Sequence, residues 1–463
     1  MKISFHGADK NVTGSCHLIE CAGKRILIDC GIYQGRHELT EENYQSFGFE
    51  PKDIDFVLLT HAHLDHCGRI PLLARRGFSG EIITTAASVE LARLVMLDSA
   101  GLQEEEARYQ AKKAKRRSDR KKHNTEPLYT ILDALNSLEL FGRKAQYDQP
   151  LSIAQGITAT FIDAGHILGS ASILLELEEN GQQHRILFSG DLGYSGRAIL
   201  RDPTPPPKVD TVVMETTYGD RLHKLLQPSI EELYEVINTT MHRGGNVIIP
   251  TFALERAQEI LYYLREGVES KKIERNINVF LDSPMAISAT EIFERHPECF
   301  DVDTLKVSDG GDPFRLPNLH FTRETADSMA INQINGGAVI LAGSGMCTGG
   351  RVRHHLKHNL WNKKNSIVFV GFAAQGTLAR QIVDGADHIR LYGEEIQVRA
   401  GIHTIGGFSA HADQAELLAW YNKTGKPQRT FLVHGEEDTM QIFAKKLDDT
   451  TVIIPELHES YTL

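Results

Sequence analysis

Three histidines and an aspartate fall within six positions of FVLLTHAHLDHCGRIP (residues 56–71): His61, His63, Asp65 and His66. The apolar run before them reads as a strand, so all four sit where a strand ends. In extended chain, residues i and i+2 point the same way, which lets His61 and His63 reach one cation. Asp65 and His66, one step beyond, can turn to a second. Imidazole nitrogen with carboxylate oxygen is a zinc-type donor set, compatible also with iron or manganese. Four such groups are costly to bury without a partner. HxH alone would say little, but HxHxDH after an apolar strand is specific. It leaves open whether the rest of the chain supplies ligands for one metal, for two or for none.

Further candidates should stand at the ends of other strands, and they do. His166 follows a strand in FIDAGHILGSAS, and Asp191 follows another in ILFSGDLG, where flanking glycines let the backbone come close and a carboxylate can bridge two metals. Asp29, in ILIDCG, is placed likewise and could orient the loop histidines from behind. Each alone is an ordinary turn residue; their shared placement is what points to a site.

The elements that must position these residues come in two rhythms. Residues 1 to about 100 alternate short β-rich runs with turns, and a helix follows with Leu91, Leu94, Val95 and Leu102 on one face. Its tail, residues 111–123, carries eight lysines and arginines, a solvated excursion or a phosphate-binding arm. Strands resume from 150 to 200, with a hairpin turn near Glu179 to Gly181, and the proline-rich RDPTPPPKVD (201–210) can be neither helix nor central strand. From about 218 to 404, short fully apolar strands alternate with helices, the pattern of βαβ units around a parallel sheet.

At 463 residues the chain is too long for one ordinary core, so two or more domains are expected. Its 41% hydrophobic and 24% charged residues are those of a globular protein, and the net charge of −11 does not advertise a nucleic-acid partner. Six cysteines without a CxxC pair read as reduced thiols; Cys67, beside the ligand loop, reads as a small buried thiol. MKISFHGADKNVTGS lacks a signal-peptide layout, and no apolar run approaches the roughly 18 residues that span a bilayer, so a cytoplasmic protein without membrane contact is expected.

HAHLDH, AGHILGS, SGDLG and the upstream ILIDCG together resemble the ordered motif set of the metallo-β-lactamase fold, an α/β architecture with an αββα sandwich whose metals sit at one edge. The inserted α/β block resembles the β-CASP domain of RNA-processing nucleases such as ribonuclease J and the endonuclease subunit of eukaryotic pre-mRNA 3′-end cleavage. METTYG, FSAHAD, LVHGEE, LDSPMA and GSGMCTGGR fit the same pattern. The division implied is 1–217 and 405–463 for the metallo-β-lactamase domain and 218–404 for the β-CASP domain.

The resemblance implies two zinc ions, the first on His61, His63, His166 and Asp191, the second on Asp65, His66, His434 and the shared Asp191. It implies His411 as general acid with Glu215 holding its imidazole in the useful tautomer; Asp65 is counted with them as catalytic. The activity implied is hydrolysis of single-stranded RNA, endonucleolytic, 5′-exonucleolytic or both, leaving 5′-phosphate and 3′-hydroxyl. His434 favours RNA, because the DNA-acting branch carries an aliphatic residue there. Alternatives are a catalytically silent RNA-binding member, a β-CASP DNA nuclease and a small-molecule metallohydrolase; a homodimer is an open possibility. Glycines before a helix make Arg351 a candidate for substrate phosphate, along with Gln375 and Ser409, and Arg353 adds to a basic lining. His354, His355 and His358 have zinc-like spacing but read as surface or phosphate-contacting residues once the metal sites are filled.

Overall fold

Alternation of apolar side chains decides the first unit's architecture. In the strand Ile157–Asp163, Ile157, Ala159 and Phe161 enter one apolar cluster while Ile162 enters another on the opposite face. Such period-two burial on both faces requires a cover on each side of the sheet. The computed structural model describes residues 1–35, 37–117, 126–309, 311–371 and 373–463.

Two seven-stranded sheets supply the inner layers. The first runs Ser460–Thr462, Lys2–Phe5, His17–Cys21, Lys24–Ile28, Phe56–Leu58, Glu81–Thr85, Phe141–Ala145. The second runs Thr451–Ile453, Arg429–Val433, Thr211–Glu215, Gln182–Phe188, Ala171–Glu179, Ile157–Asp163, Leu151–Ala154. Between them lie Ile3, Phe5, Ile26 and Ile28 from one and Phe161, Ile173, Phe188 and Phe431 from the other. The outer face of the second sheet is covered by Leu417, Trp420, Met440 and Phe443 from helices Gln414–Tyr421 and Glu437–Ala444. The helix Ala86–Arg117 packs on strands Glu81–Thr85 and Phe141–Ala145. Helix, sheet, sheet, helix is the αββα order expected. Along that helix Leu91 and Val95 are buried and Leu94 half-buried, but Leu102 is 60% exposed, so the apolar face ends a turn sooner than its spacing predicts. The basic run begins in this helix; its remainder, residues 118–123, lies outside the described residues.

This unit comprises Met1–Ser195, Asp202–Leu222 and His411–Leu463. The second comprises Gly196–Arg201 and His223–Ala410. Its boundaries thus fall at 222/223 and 410/411 rather than 217/218 and 404/405, and a short segment of the preceding link joins it. That segment is held by backbone: Asp301 N donates to Ile199 O, and Leu200 bridges to Phe300. The second unit's sheet is parallel throughout, in the order Leu319–Phe321, Asn278–Leu281, Ala338–Ala342, Val247–Pro250, Ser366–Phe369, Gly401–Thr404. Its central strands VIIP, AVILA and SIVF are buried at every position, as a sheet with both faces covered demands. Among the described residues, no helix is long and apolar enough to cross a membrane.

Phe431 is fully buried, with ring centroids 4.9 Å from Phe5 and 5.0 Å from Tyr461, so it joins the second sheet to the chain's two termini. Phe431→Ala is expected to lower the unfolding free energy of this unit by about 3–5 kcal/mol, read as an earlier urea midpoint.

Candidate metal centre

Parallel neighbours end at the same sheet edge, and that local fact brings the ionisable residues together. In the second sheet Gln182–Phe188, Thr211–Glu215 and Arg429–Val433 are adjacent and parallel, with Phe188 opposite Val213 and Glu215 opposite Val433. Their ends therefore deliver Asp191, Glu215 and His434 side by side. In the first sheet Lys24–Ile28 and Phe56–Leu58 are parallel with Ile28 opposite Leu58, which sets Asp29 beside the loop carrying His61 and His63. A short helix, Leu64–Cys67, then turns Asp65 and His66 inward.

Asp29 fastens that loop. Its Oδ1 accepts from Thr60 N at 2.7 Å, and its Oδ2 accepts from Thr60 Oγ1 at 2.8 Å and from His66 Nδ1 at 2.7 Å. A carboxylate only accepts, so the proton sits on Nδ1 and Nε2 of His66 faces the centre. Backbone bonds reinforce the strap: Cys30 N donates to His66 O, and Ser15 N to Asp65 O. Gly31 is required by the same closeness, because a Cβ there would lie 1.6 Å from the Asp65 carbonyl oxygen. Gly193 meets the same limit, 1.8 Å from the carbonyl oxygen of Gly165 in the loop that carries His166.

Asp191 stands at the middle, 2% exposed. Its Oδ2 lies 3.5 Å from His61 Nε2 and 3.6 Å from His166 Nε2, while His63 Nδ1 is 3.1 Å from His61 Nε2 and 3.2 Å from His166 Nε2. Its Oδ1 lies 3.3 Å from His66 Nε2 and 3.5 Å from His434 Nδ1, and His434 Nε2 is 3.3 Å from His66 Nε2 and 3.4 Å from Asp65 Oδ2. His61, His63, His166 and Asp191 thus form one group with donor atoms within 4.8 Å of one another, and Asp65, His66 and His434 form a second. A third grouping joins Asp191 and His434 to Glu215.

Electrostatics follow from this crowding. Burial acts to raise the Asp191 carboxyl, but His434, His66 and His61 outweigh it and hold it well below its ordinary value. Burial likewise opposes Asp65, and a hydrogen bond from His434 with the charge of His66 keeps it low. Burial and the neighbouring His66 push His61 well down, and burial takes His63 to about 4. His66 is raised well above its usual value because Asp191 and Asp29 overcome its burial.

Beside these groups, His411 Nδ1 lies 3.2 Å from Glu215 Oε1 and 4.0 Å from Asp191 Oδ2, and its ring sits 4.5 Å from that of His166. Burial lowers its proton affinity, but the charge and hydrogen bond of Glu215, then Asp191 and Asp65, carry it up to about 9. Glu215 is fixed in turn, accepting from Leu192 N at 2.6 Å.

The donor set fits divalent cations. Imidazole nitrogens face each other at hydrogen-bond range, where two neutral rings can share only one proton per contact. Asp191 Oδ1 is buried without a hydrogen bond of good geometry. A cation supplies the positive charge such a set lacks and displaces its protons.

Two threonines escaped the sequence reading. Thr60 ties Asp29 to the loop, with its Oγ1 3.0 Å from His61 Nδ1, and Thr217 Oγ1 lies 3.2 Å from His434 Nδ1. Each adjoins a motif, in LLTHAH and METTYG, which is the one signal that marked them. Cys67 is buried, its thiol within reach of the Ala62 carbonyl.

The phosphate candidates lie in the second unit. Arg351 donates to Asp282 Oδ1 and Thr322 O, both at 2.7 Å, and to Arg323 O at 2.6 Å, so its guanidinium is committed to internal partners. Ser409 is half-buried and Gln375 exposed at a turn. His355 is not at the surface: with Val352, Leu356 and Asn359 it occupies the buried face of helix Val352–Asn359, its Nε2 2.6 Å from Asp282 Oδ2.

Residues 10–237 match the Metallo-beta-lactamase superfamily, 257–382 the Beta-Casp domain and 395–455 the Zn-dependent metallo-hydrolase RNA specificity domain. The chain is 40% identical over 448 residues to Ribonuclease TTHA0252 of Thermus thermophilus, covering 96% of each chain. It is 31% identical over 455 residues to Transcription termination factor FttA of Methanocaldococcus jannaschii, covering 96% of this chain and 68% of that one. An RNase J-like protein of the same archaeon is 30% identical over 454 residues, covering 97% of this chain and 96% of its own. A crystal structure of a protein of unknown function from Enterococcus faecalis V583 aligns over 100% of this chain and 99% of its own, with a TM-score of 0.56 at 13% identity, a likeness of fold alone.

Asp29 orients the loop without reaching the centre itself. Asp29→Ala is expected to weaken metal binding about 10- to 100-fold, measured by chelator competition, with the fold retained by circular dichroism.

Proposed function

The chain belongs to the metallo-β-lactamase superfamily, in its β-CASP branch, and from that footing we propose that it hydrolyses single-stranded RNA at a centre for two zinc ions. The observation that carries this reading is the division of Asp191: Oδ2 faces His61 and His166, which group with His63, while Oδ1 faces His66 and His434. A single ion would need three or four donors. Seven residues, one of them a shared carboxylate, suit two.

The metal dependence and the RNA substrate are those of the family: the relatives include a ribonuclease and an RNase J-like protein, and the RNA specificity domain covers 395–455. Bound divalent cations supply Lewis-acid charge at a phosphodiester oxygen and make hydroxide available near neutral pH. What the chain's own residues do follows from their geometry. Asp29 and Thr60 hold the HAHLDH loop in one register. His411, kept protonated by Glu215, gives its proton to the departing 3′ oxygen, which leaves a 5′-phosphate on the other fragment. Glu215 accepts from Leu192 N and so fixes where that imidazole stands.

Metal analysis should return two equivalents of zinc per chain. Chelation should abolish cleavage of 5′-labelled single-stranded RNA, and end-mapping should find 5′-phosphate and 3′-hydroxyl. One equivalent, or cleavage indifferent to chelator, defeats the two-ion reading. His411→Ala should lower kcat about 100- to 10,000-fold at full metal content. Turnover near wild type would remove it from the acid role.

A further inference from the structure

The helix Val352–Asn359 and the residues after it form a basic, aromatic surface in an acidic chain. From Arg351 to Asn365 there are five lysines and arginines, three histidines and no acid, against a net charge of −11 for the whole. Helix periodicity sorts them. Val352, His355, Leu356 and Asn359 face inward. Arg353, Lys357 and Trp361 follow at four-residue steps, with His354 and His358 beside them. At 1.5 Å per residue the row is about 12 Å long, the reach of roughly two nucleotides. Trp361 is 56% exposed.

A second element is aimed at the same row. Strands His388–Leu391 and Glu394–Gln397 pair as a hairpin whose two-residue turn is Tyr392-Gly393. Both take positive φ, 51° and 85°. That turn calls for Asn, Asp or Gly at its first position, and a bulky ring there is held against its backbone preference. The tyrosine is nonetheless 49% exposed, its ring stacked on His354 at 4.6 Å and 22°, with the Arg353 guanidinium 5.2 Å from its centroid. Strain kept for an exposed aromatic is the kind of outlier that accompanies a binding role. The local field agrees: partial burial, then His355, His358, Lys357 and Arg353, lower His354 below its usual value, and partial burial and Lys357 do the same to His358. Lys357 pairs with Glu394 at 2.7 Å, both solvent-reachable, and the same carboxylate also acts on His358.

We propose that the face formed by Arg353, His354, Lys357, His358, Trp361 and Tyr392 is a second contact site for single-stranded RNA, sequence-tolerant, with bases stacking on Tyr392 and Trp361 and phosphates on the cations. The proposal rests on the RNA reading above. An aromatic platform between cations is how strands are held without base readout, since every base has a π-face. A lipid surface would ask for a wider apolar edge, and an acidic peptide would not need stacked rings.

Tyr392→Asn separates binding from folding, because asparagine suits the positive φ better than tyrosine. The variant should keep or raise its melting temperature, hold full zinc and turn over bis(p-nitrophenyl) phosphate like wild type. Its affinity for a nuclease-resistant, fluorescein-labelled RNA of about 25 nucleotides should fall at least about fivefold, the low end of what one stacked base is worth. Lys357→Gln should flatten the slope of log affinity against log salt by about 0.7, one released counterion on a single strand. Unchanged affinity in both variants overturns the surface, as does a Tyr392→Asn protein that loses stability but not affinity. Wild-type protein that cleaves no RNA yet binds it through this face would sink the nuclease reading and leave this one standing.

Discussion

A carboxylate 2% exposed cannot keep its charge unless positive groups face it, and the first unit is arranged around that requirement at Asp191. Five imidazoles and a second carboxylate close on it from chain segments as far apart as residues 61 and 434. None of these contacts is local, so the two sheets must hold their register for the site to exist at all. Phe431 and Val433, whose strand carries His434, lie in the same intersheet cluster as Ile28, whose strand carries Asp29. Core packing and site geometry are one problem here.

The cost is visible in the backbone. Asp29 and His434 both take positive φ, 62° and 49°, just beyond strands, where extended geometry would turn their side chains away. Compensation is concentrated there. Asp29 accepts three strong hydrogen bonds, and His434 N donates to Ala8 O at 2.8 Å. Strain of this kind persists only where its surroundings over-determine it.

How much of this was legible in the sequence depends on whether a signal was local. Strand ends are local, and so Asp29, His61, His63, His166 and Asp191 could be picked out before any pairing was known, whereas His434 came only from the resemblance of LVHGEE to a family motif. Alternation is local too, and it separated the sandwich from the parallel sheet. Helix register is less forgiving. His354 and His358 look like a zinc pair and His355 like their neighbour, but one step of 100° sends His355 inward to Asp282. Arg351 shows a second limit: its partner Asp282 is 69 residues away, and no spacing announces a buried ion pair. The hairpin around Tyr392 passed unnoticed because HIRL, though it alternates, is only four residues long, and EEIQ offers a single apolar position.

The acidic total charge looked like an objection to RNA, and the structure shows why it is a weak one. Exposed charges are screened beyond about 8–10 Å at physiological salt, so a strand senses the face it touches and not the sum over 463 residues. The row from Arg353 to Trp361 is longer than that distance and holds no acid of its own. On the neighbouring hairpin, Glu394 pairs with Lys357 and its charge also reaches His358. An exposed pair of this sort is worth about 0–1 kcal/mol, little enough for a phosphate to replace the carboxylate. Negative charge elsewhere then acts in the opposite sense. It repels RNA from surfaces with no cations or rings, and confines binding to the places where both occur.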